Sequence, residues 1–235
     1  MLEVTNLSAG YGDVIAVRDF SFSVGPGEIL ALLGANGAGK SSTLMALMGL
    51  VDMKAGATIV VDGKDITNEP PEARIKHHMS IVPEGRRIFP DLTILENLIV
   101  GGHSVSKSTL DQGIETVFGY FQKLRERSGQ LAGSLSGGEQ QMLAMGRALI
   151  SQPKLLLVDE LSLGLMPKIV DECYVVLKQL NEKGTAIILV EQNTEKAISV
   201  ADNVCILEAG NLTFSGSVAD AHKDDKVLQS LLGGE

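Results

Sequence analysis

Gly34-Ala35-Asn36-Gly37-Ala38-Gly39-Lys40-Ser41 separates the apolar run Glu28 to Leu33 from the segment Ser42 to Leu50. The run reads as a buried strand and the following segment as a helix, so the glycines occupy a strand-to-helix turn. The spacing G-x-x-x-x-G-K-[ST] in that context predicts a phosphate loop. Glycines let successive backbone N–H groups wrap an anion, and the helix N-terminus adds a favourable dipole. Lys40 would reach the β- and γ-phosphates of a nucleotide, and Ser41 would offer its hydroxyl to Mg²⁺. Gly34, Asn36, Gly37, Ala38, Gly39, Lys40, Ser41 and Ser42 are therefore the candidate nucleotide-binding residues.

Working outward, Leu155 to Val158 reads as a second buried strand, ending in Asp159-Glu160. Carboxylates at that position lie at the carboxyl edge of an open α/β sheet, where ligands bind. Asp159 is the expected Mg²⁺ ligand and Glu160 the expected base for an attacking water. Further strands are expected at Phe20 to Val24, Thr58 to Asp62, Met79 to Val82, Ala186 to Val190 and Val204 to Leu207. Helices are expected from Thr93, around Leu110 to Arg127, over Gly137 to Ile150, and from Pro167 to Gly184. The alternation predicts a largely parallel sheet covered on both faces.

Leu135-Ser136-Gly137-Gly138-Glu139-Gln140-Gln141 carries a capping box, Ser136 with Glu139, at the start of a helix. Capping does not account for two glycines in a first helical turn, where each costs roughly 1 kcal/mol against alanine. They suit a backbone that closely approaches an anion.

With that stretch the sequence resembles the ATPases of ATP-binding-cassette (ABC) transporters, over essentially the whole chain. Phosphate loop, LSGGQ-like signature and strand-terminal Asp-Glu occur in that family's order. The resemblance implies a single ATPase domain over residues 1–235. It would comprise a P-loop α/β core (1–87 and 153–235) with an N-terminal antiparallel β region, and an inserted helical subdomain (88–152). It also implies hydrolysis of ATP to ADP and phosphate with Mg²⁺, and head-to-tail pairing of two ATPase domains. Ser136, Gly137 and Gly138 would then serve the nucleotide held by the partner, and Tyr11 would stack on adenine. Glu84 falls where the family's glutamine meets Mg²⁺ and water, and Gln192 where its histidine contacts the γ-phosphate. Leu161 replaces a usual proline and Met166 a usual aspartate.

Val82-Pro83-Glu84-Gly85-Arg86-Arg87-Ile88-Phe89, Ser162-Leu163-Gly164-Leu165 and Val190-Glu191-Gln192-Asn193 look like one of the two ATPase subunits of branched-chain amino-acid importers. Amide and urea importers are similar, so the solute stays open. Implied partners are integral-membrane permeases and a second ATPase, either a sister subunit or another copy. The departures at Glu84, Met166 and Gln192 favour the sister, which would supply the usual groups. Implied localisation is cytoplasmic, on the inner face of the membrane.

Composition agrees with this reading. A net charge of −9 lacks the basic field of non-specific nucleic-acid binders, and aromatics at 4% with no tryptophan leave no base-stacking platform. The alternatives that stay open are a soluble ABC ATPase acting on nucleic acid or ribosomes, disfavoured by that charge, and an ATP-binding regulator that does not hydrolyse, disfavoured by Glu160. No apolar run is long enough to span a bilayer. Cys173 and Cys205 read as reduced core thiols and the four histidines, His77, His78, His103 and His222, as surface residues. Met45, Met48, Met142 and Met145 are spaced as core residues, Arg86-Arg87 as a solvated charge pair, and the polar stretch 222–226 as a surface connection.

Overall fold

The structure, a computed structural model, describes residues 1–223. β1 (Leu2–Tyr11) turns back at Gly12 into β2 (Val14–Val24), its antiparallel partner. The five-residue apolar strand β3 (Ile29–Leu33) delivers the chain to the glycine loop, and α1 (Lys40–Leu47) leaves it. The helix begins two residues earlier than expected, because Gly39 itself caps it in the left-handed region. β4 (Asp52–Met53), β5 (Thr58–Val61) and β6 (Lys64–Asp65) return to the first sheet. α2 (Pro71–Arg74) and a tight helical turn then lead into β7 (Met79–Val82).

The chain is next helical: α3 (Ile94–Gly101), α4 (Lys107–Tyr120), α5 (Gln122–Glu126) and α6 (Gly137–Leu149). The expected capping box, Ser136 with Glu139, is formed, and Thr93 with Glu96 forms another at the start of α3. The single helix expected over Leu110 to Arg127 is broken at Phe121, whose backbone (φ −125°, ψ 75°) turns the ring into the core beside Phe118 and Leu124. β8 (Leu155–Asp159), α7 (Pro167–Glu182), β9 (Ala186–Val190), α8 (Thr194–Ile198), β10 (Asn203–Glu208), β11 (Asn211–Ser217) and α9 (Val218–Ala221) complete the described chain. Of the polar tail, His222 and Lys223 are exposed and the rest lies outside the described residues.

The second sheet has the order β11-β10-β3-β9-β8-β7 and is parallel except for β11, an antiparallel edge strand the sequence reading did not include. Alternation along β3 divides the core. Ile29, Ala31 and Leu33 join the cluster beneath α3, α4, α6 and α7, whereas Leu30 and Leu32 join the one shared with α1 and the first sheet. Continuous apolar strands are what two covered faces demand. Met48, Met142, Met145 and both cysteines are buried in these clusters, and Met45 packs against one of them.

α1 is anchored at its far end by Arg74, which is 2% exposed. Its guanidinium donates to Ala46 O at 2.8 Å and Leu47 O at 2.7 Å, both C-terminal carbonyls of α1, and to Thr67 O at 2.8 Å and Glu69 O at 2.9 Å. The bond to Leu47 O satisfies a carbonyl that the helix end leaves unpaired, whereas Ala46 O also accepts from Gly49 N at 3.0 Å. Arg74→Ala would strand the buried Leu47 carbonyl, remove three further bonds and leave a cavity, and we expect a loss of about 3–5 kcal/mol of stability by urea unfolding.

Candidate functional site

Strands β3, β9, β8 and β7 are neighbours in that order and run parallel. Their carboxyl ends therefore release four loops along one edge, carrying respectively the glycine loop, Gln192, Asp159-Glu160 and Glu84. A cavity of about 320 Å³ at this edge is lined by Asn36, Gly37, Gly39, Lys40, Ser41, Ser42, Glu84, Glu160 and Gln192, together with Ala16 from β2. A larger cleft of about 660 Å³ lies between the two sheets, beside Glu3, Ser23, Glu28 and Asn203, and shares none of these residues.

Two glycines of the loop are required by geometry. Gly34 has φ 143°, and a Cβ there would lie 2.2 Å from Leu207 O. Gly39 has φ 101°, and its Cβ would lie 2.5 Å from Ala16 O. Gly34 and the buried Ala38 thus form the floor of the loop rather than its lining. Lys40 is 4% exposed and donates to Gly34 O at 2.8 Å and Ala35 O at 3.1 Å. Burial lowers its pKa, opposed by the negative field of Glu160, Asp159 and Glu84. An ammonium so held has a third proton to give a phosphate oxygen.

Across the loop, Ser41 Oγ donates to Asp159 Oδ1 at 2.9 Å, while Asp159 Oδ2 is buried without a hydrogen-bond partner. Burial pushes the Asp159 carboxyl up to about 6; Glu84 and Glu160 add to the shift, and the Ser41 bond and Lys40 oppose it. An unpartnered buried carboxylate oxygen beside a hydroxyl, with the exposed Glu84 at the rim, suits a hard divalent cation that takes its remaining oxygens from phosphate and water. Glu160 sits just beyond β8 with φ 50°, and its N–H donates to Val190 O at 2.9 Å. Gln192 Nε2 donates to both Glu160 oxygens, at 2.9 and 2.8 Å.

A family model described as ABC transporter matches residues 17–162, from β2 through the glycine loop and α6 to just past Glu160. The chain belongs to the ABC transporter family. It is an ATP-binding, ATP-hydrolysing member of it. It is 42% identical over 234 residues to the high-affinity branched-chain amino acid transport ATP-binding protein BraG of Pseudomonas aeruginosa, covering 100% of both chains. It is 32% identical to the probable branched-chain amino acid transport ATP-binding protein LivF of Archaeoglobus fulgidus, covering 99% of each. Among solved structures it resembles an ATP-binding subunit of an ABC transporter, at 26% identity and a TM-score of 0.86, with 99% of this chain and 98% of that one covered.

Not every candidate residue of this ABC ATPase lines the cavity. Tyr11 ends β1 and is 58% exposed, outside the lining. Ser136, Gly137 and Gly138 open α6 and are likewise absent from it. Met166 precedes α7 without a side-chain cap bond, which an aspartate there would have supplied, and Leu161 is buried in the core. Two expectations need correction. Arg86 is not a free charge: its Nη1 donates to Gln140 Oε1 at 3.2 Å, and its guanidinium lies 3.0 Å from where a Gly137 Cβ would stand. Nor is His77 solvated, because Nε2 lies 2.6 Å from Glu69 Oε2, brought to it by the turn after α2; the other three histidines are exposed. Ala16 was missed because an alanine on an edge strand carries no motif.

The raised Asp159 pKa fixes a sign. The folded state holds that proton more tightly than the unfolded chain, so its contribution to stability is full below the ordinary 3.8 and is lost as pH rises through about 6. We expect Asp159→Asn to raise the melting temperature of the nucleotide-free protein, with the gap over wild type widening as pH rises from the ordinary 3.8 and levelling off once it has passed about 6. Hydrolysis should be lost in the same variant.

Proposed function

We propose that this chain is the ATP-hydrolysing subunit of an importer of branched-chain amino acids, working with Mg²⁺, a second ATPase subunit and membrane-embedded permeases. The observation that carries the reading is the convergence of Lys40 and Ser41 from α1 and Glu160 from just beyond β8 on one cavity, with Asp159 at the end of β8 hydrogen-bonded to Ser41. The solute follows from likeness along the full chain to two proteins named for branched-chain amino acid transport.

Lys40 and the loop amides bind the β- and γ-phosphates, and Tyr11 offers a face to adenine. Ser41, Asp159 and Glu84 are the residues that would hold Mg²⁺, which when bound neutralises phosphate charge. Glu160 takes the proton of the attacking water. Gln192 holds the Glu160 carboxylate between its bonds and, unlike a histidine, stays neutral at every pH.

Two features support partners. Ser136, Gly137 and Gly138 lie outside this chain's own nucleotide cavity, so a signature that serves ATP serves another subunit's. A sister ATPase is preferred to a second copy because Glu84, Met166 and Gln192 leave charge and capping to be supplied from outside. For the permeases, Phe89, Leu95, Ile99 and Val100 expose apolar surface on and just before α3. Beside them runs a groove of about 360 Å³ between β7 and α6, shaped for a short cytoplasmic loop of a membrane protein. No helix among the described residues is long and apolar enough to cross a membrane. The working position proposed is the cytoplasmic face of the membrane, with the chain held there by the permeases.

The test is reconstitution with the sister ATPase, permeases and solute-binding protein in vesicles, measuring ATP turnover and leucine uptake. Glu160→Gln should keep ATP binding and lower both rates by about 100-fold or more. The isolated chain should turn over slowly and be stimulated by its partners. Uptake at wild-type rate by Glu160→Gln, or no leucine dependence in the intact assembly, would overturn the reading.

A further inference from the structure

Glu191 directly follows β9, immediately before Gln192, and is 1% exposed. None of the ion pairs among the described residues involves it. Its carboxylate instead accepts two hydrogen bonds from one residue, Ser162 N at 3.0 Å and Ser162 Oγ at 2.6 Å. Tyr174 Oη is buried beside it without closing a hydrogen bond of its own. A carboxylate desolvated to this degree is costly, and a methionine or leucine of similar volume would pack there at less cost. Its presence calls for a role that packing does not fill.

The two segments it joins are those of the reacting edge. Residues 160–162 and 190–192 are bridged three times: Glu160 N–H to Val190 O, Gln192 Nε2 to the Glu160 carboxylate, and Ser162 to Glu191. Glu160 meanwhile has φ 50°, a left-handed conformation that costs a non-glycine residue about 1–2 kcal/mol. Such a conformation persists only where its surroundings over-determine it. The Val190 bond fixes the backbone on one side of Glu160, and the Ser162 clasp fixes it two residues further on.

We propose that Glu191 is a positioning residue for ATP hydrolysis: by clasping Ser162 it holds Glu160 in its left-handed conformation and within reach of the Gln192 amide. The inference rests on the reading of Glu160 as the base. Glu191 itself is buried and absent from the cavity lining. Its effect belongs to the chemical step, so it falls on kcat and not on ATP affinity.

The experiment compares Glu191→Met, Glu191→Gln, Ser162→Ala and the Glu191→Met/Ser162→Ala double variant of the full chain, reading kcat, KM, ATP affinity and thermal melting. Glu191→Met should stay folded, melting close to the wild-type temperature because relief of the buried carboxylate offsets the lost Ser162 bonds, while kcat falls about 10-fold or more and KM stays within about 2-fold. Glu191→Gln should recover kcat to within about 3-fold of wild type, since its carbonyl accepts the Ser162 N–H and its amide donates to Ser162 Oγ. Ser162→Ala removes the shorter Oγ bond and keeps the backbone N–H bond, so it should lower kcat by itself, less than Glu191→Met does, and add nothing in the double variant. Wild-type kcat in folded Glu191→Met, additive losses in the double variant, or equal losses of kcat and affinity would overturn the proposal. If Glu191→Met does not fold, Ser162→Ala with unchanged kcat overturns it instead. Glu160→Gln in the same assay separates the two claims, because full turnover by that variant removes the base assignment whatever Glu191 does.

Discussion

Parallel alignment of β3, β9, β8 and β7 is the constraint on which the site depends. Four strands that end at one edge release four loops side by side, and residues 118 positions apart, Ser41 and Asp159, come within a hydrogen bond. Neither loop could hold this geometry alone. The alignment is set by the unbroken apolar character of the strands, whose two faces feed two cores, and by the anchoring of α1 at both ends. Gly39 starts that helix under the phosphate site, and Arg74 closes it against the first sheet.

Electrostatically the nucleotide-free edge is unfavourable by construction. Three carboxylates, Glu84, Asp159 and Glu160, share the edge with one buried ammonium; burial, with Glu84 and Glu160 adding to it, raises the Asp159 pKa to about 6, and burial lowers that of Lys40. A polyphosphate carrying a divalent cation, bound as proposed, would relieve both strains, its oxygens answering Lys40 and its metal answering Asp159. The site is thus better matched to its ligand than to emptiness, as expected of preorganised charge.

Much of this was legible in the sequence because motifs in this fold are backbone statements. A glycine loop between a strand and a helix, two carboxylates ending an apolar strand, and a capping box with two extra glycines each specify a local geometry that tertiary packing leaves intact. What escaped depends on neighbours distant in sequence. The break at Phe121 follows from a ring seeking the core, and Arg86 is ordered by Gly137 and Gln140, which lie about fifty residues on. Glu191 stood in view beside Gln192, yet its partner Ser162 lies on another loop and no spacing rule links them. A signal did exist, since an acidic residue that directly continues a five-residue buried strand must find a hydrogen-bonding partner inside.

The central claim is that ATP binds the loop through Lys40 at the carboxyl edge of the parallel sheet. Calorimetric titration of the full chain with ATP and Mg²⁺, wild type against Lys40→Ala, tests it most directly. The account predicts one nucleotide per wild-type chain and affinity weakened at least about 100-fold in a variant that keeps its fold. Equal affinity in a folded Lys40→Ala chain would contradict it.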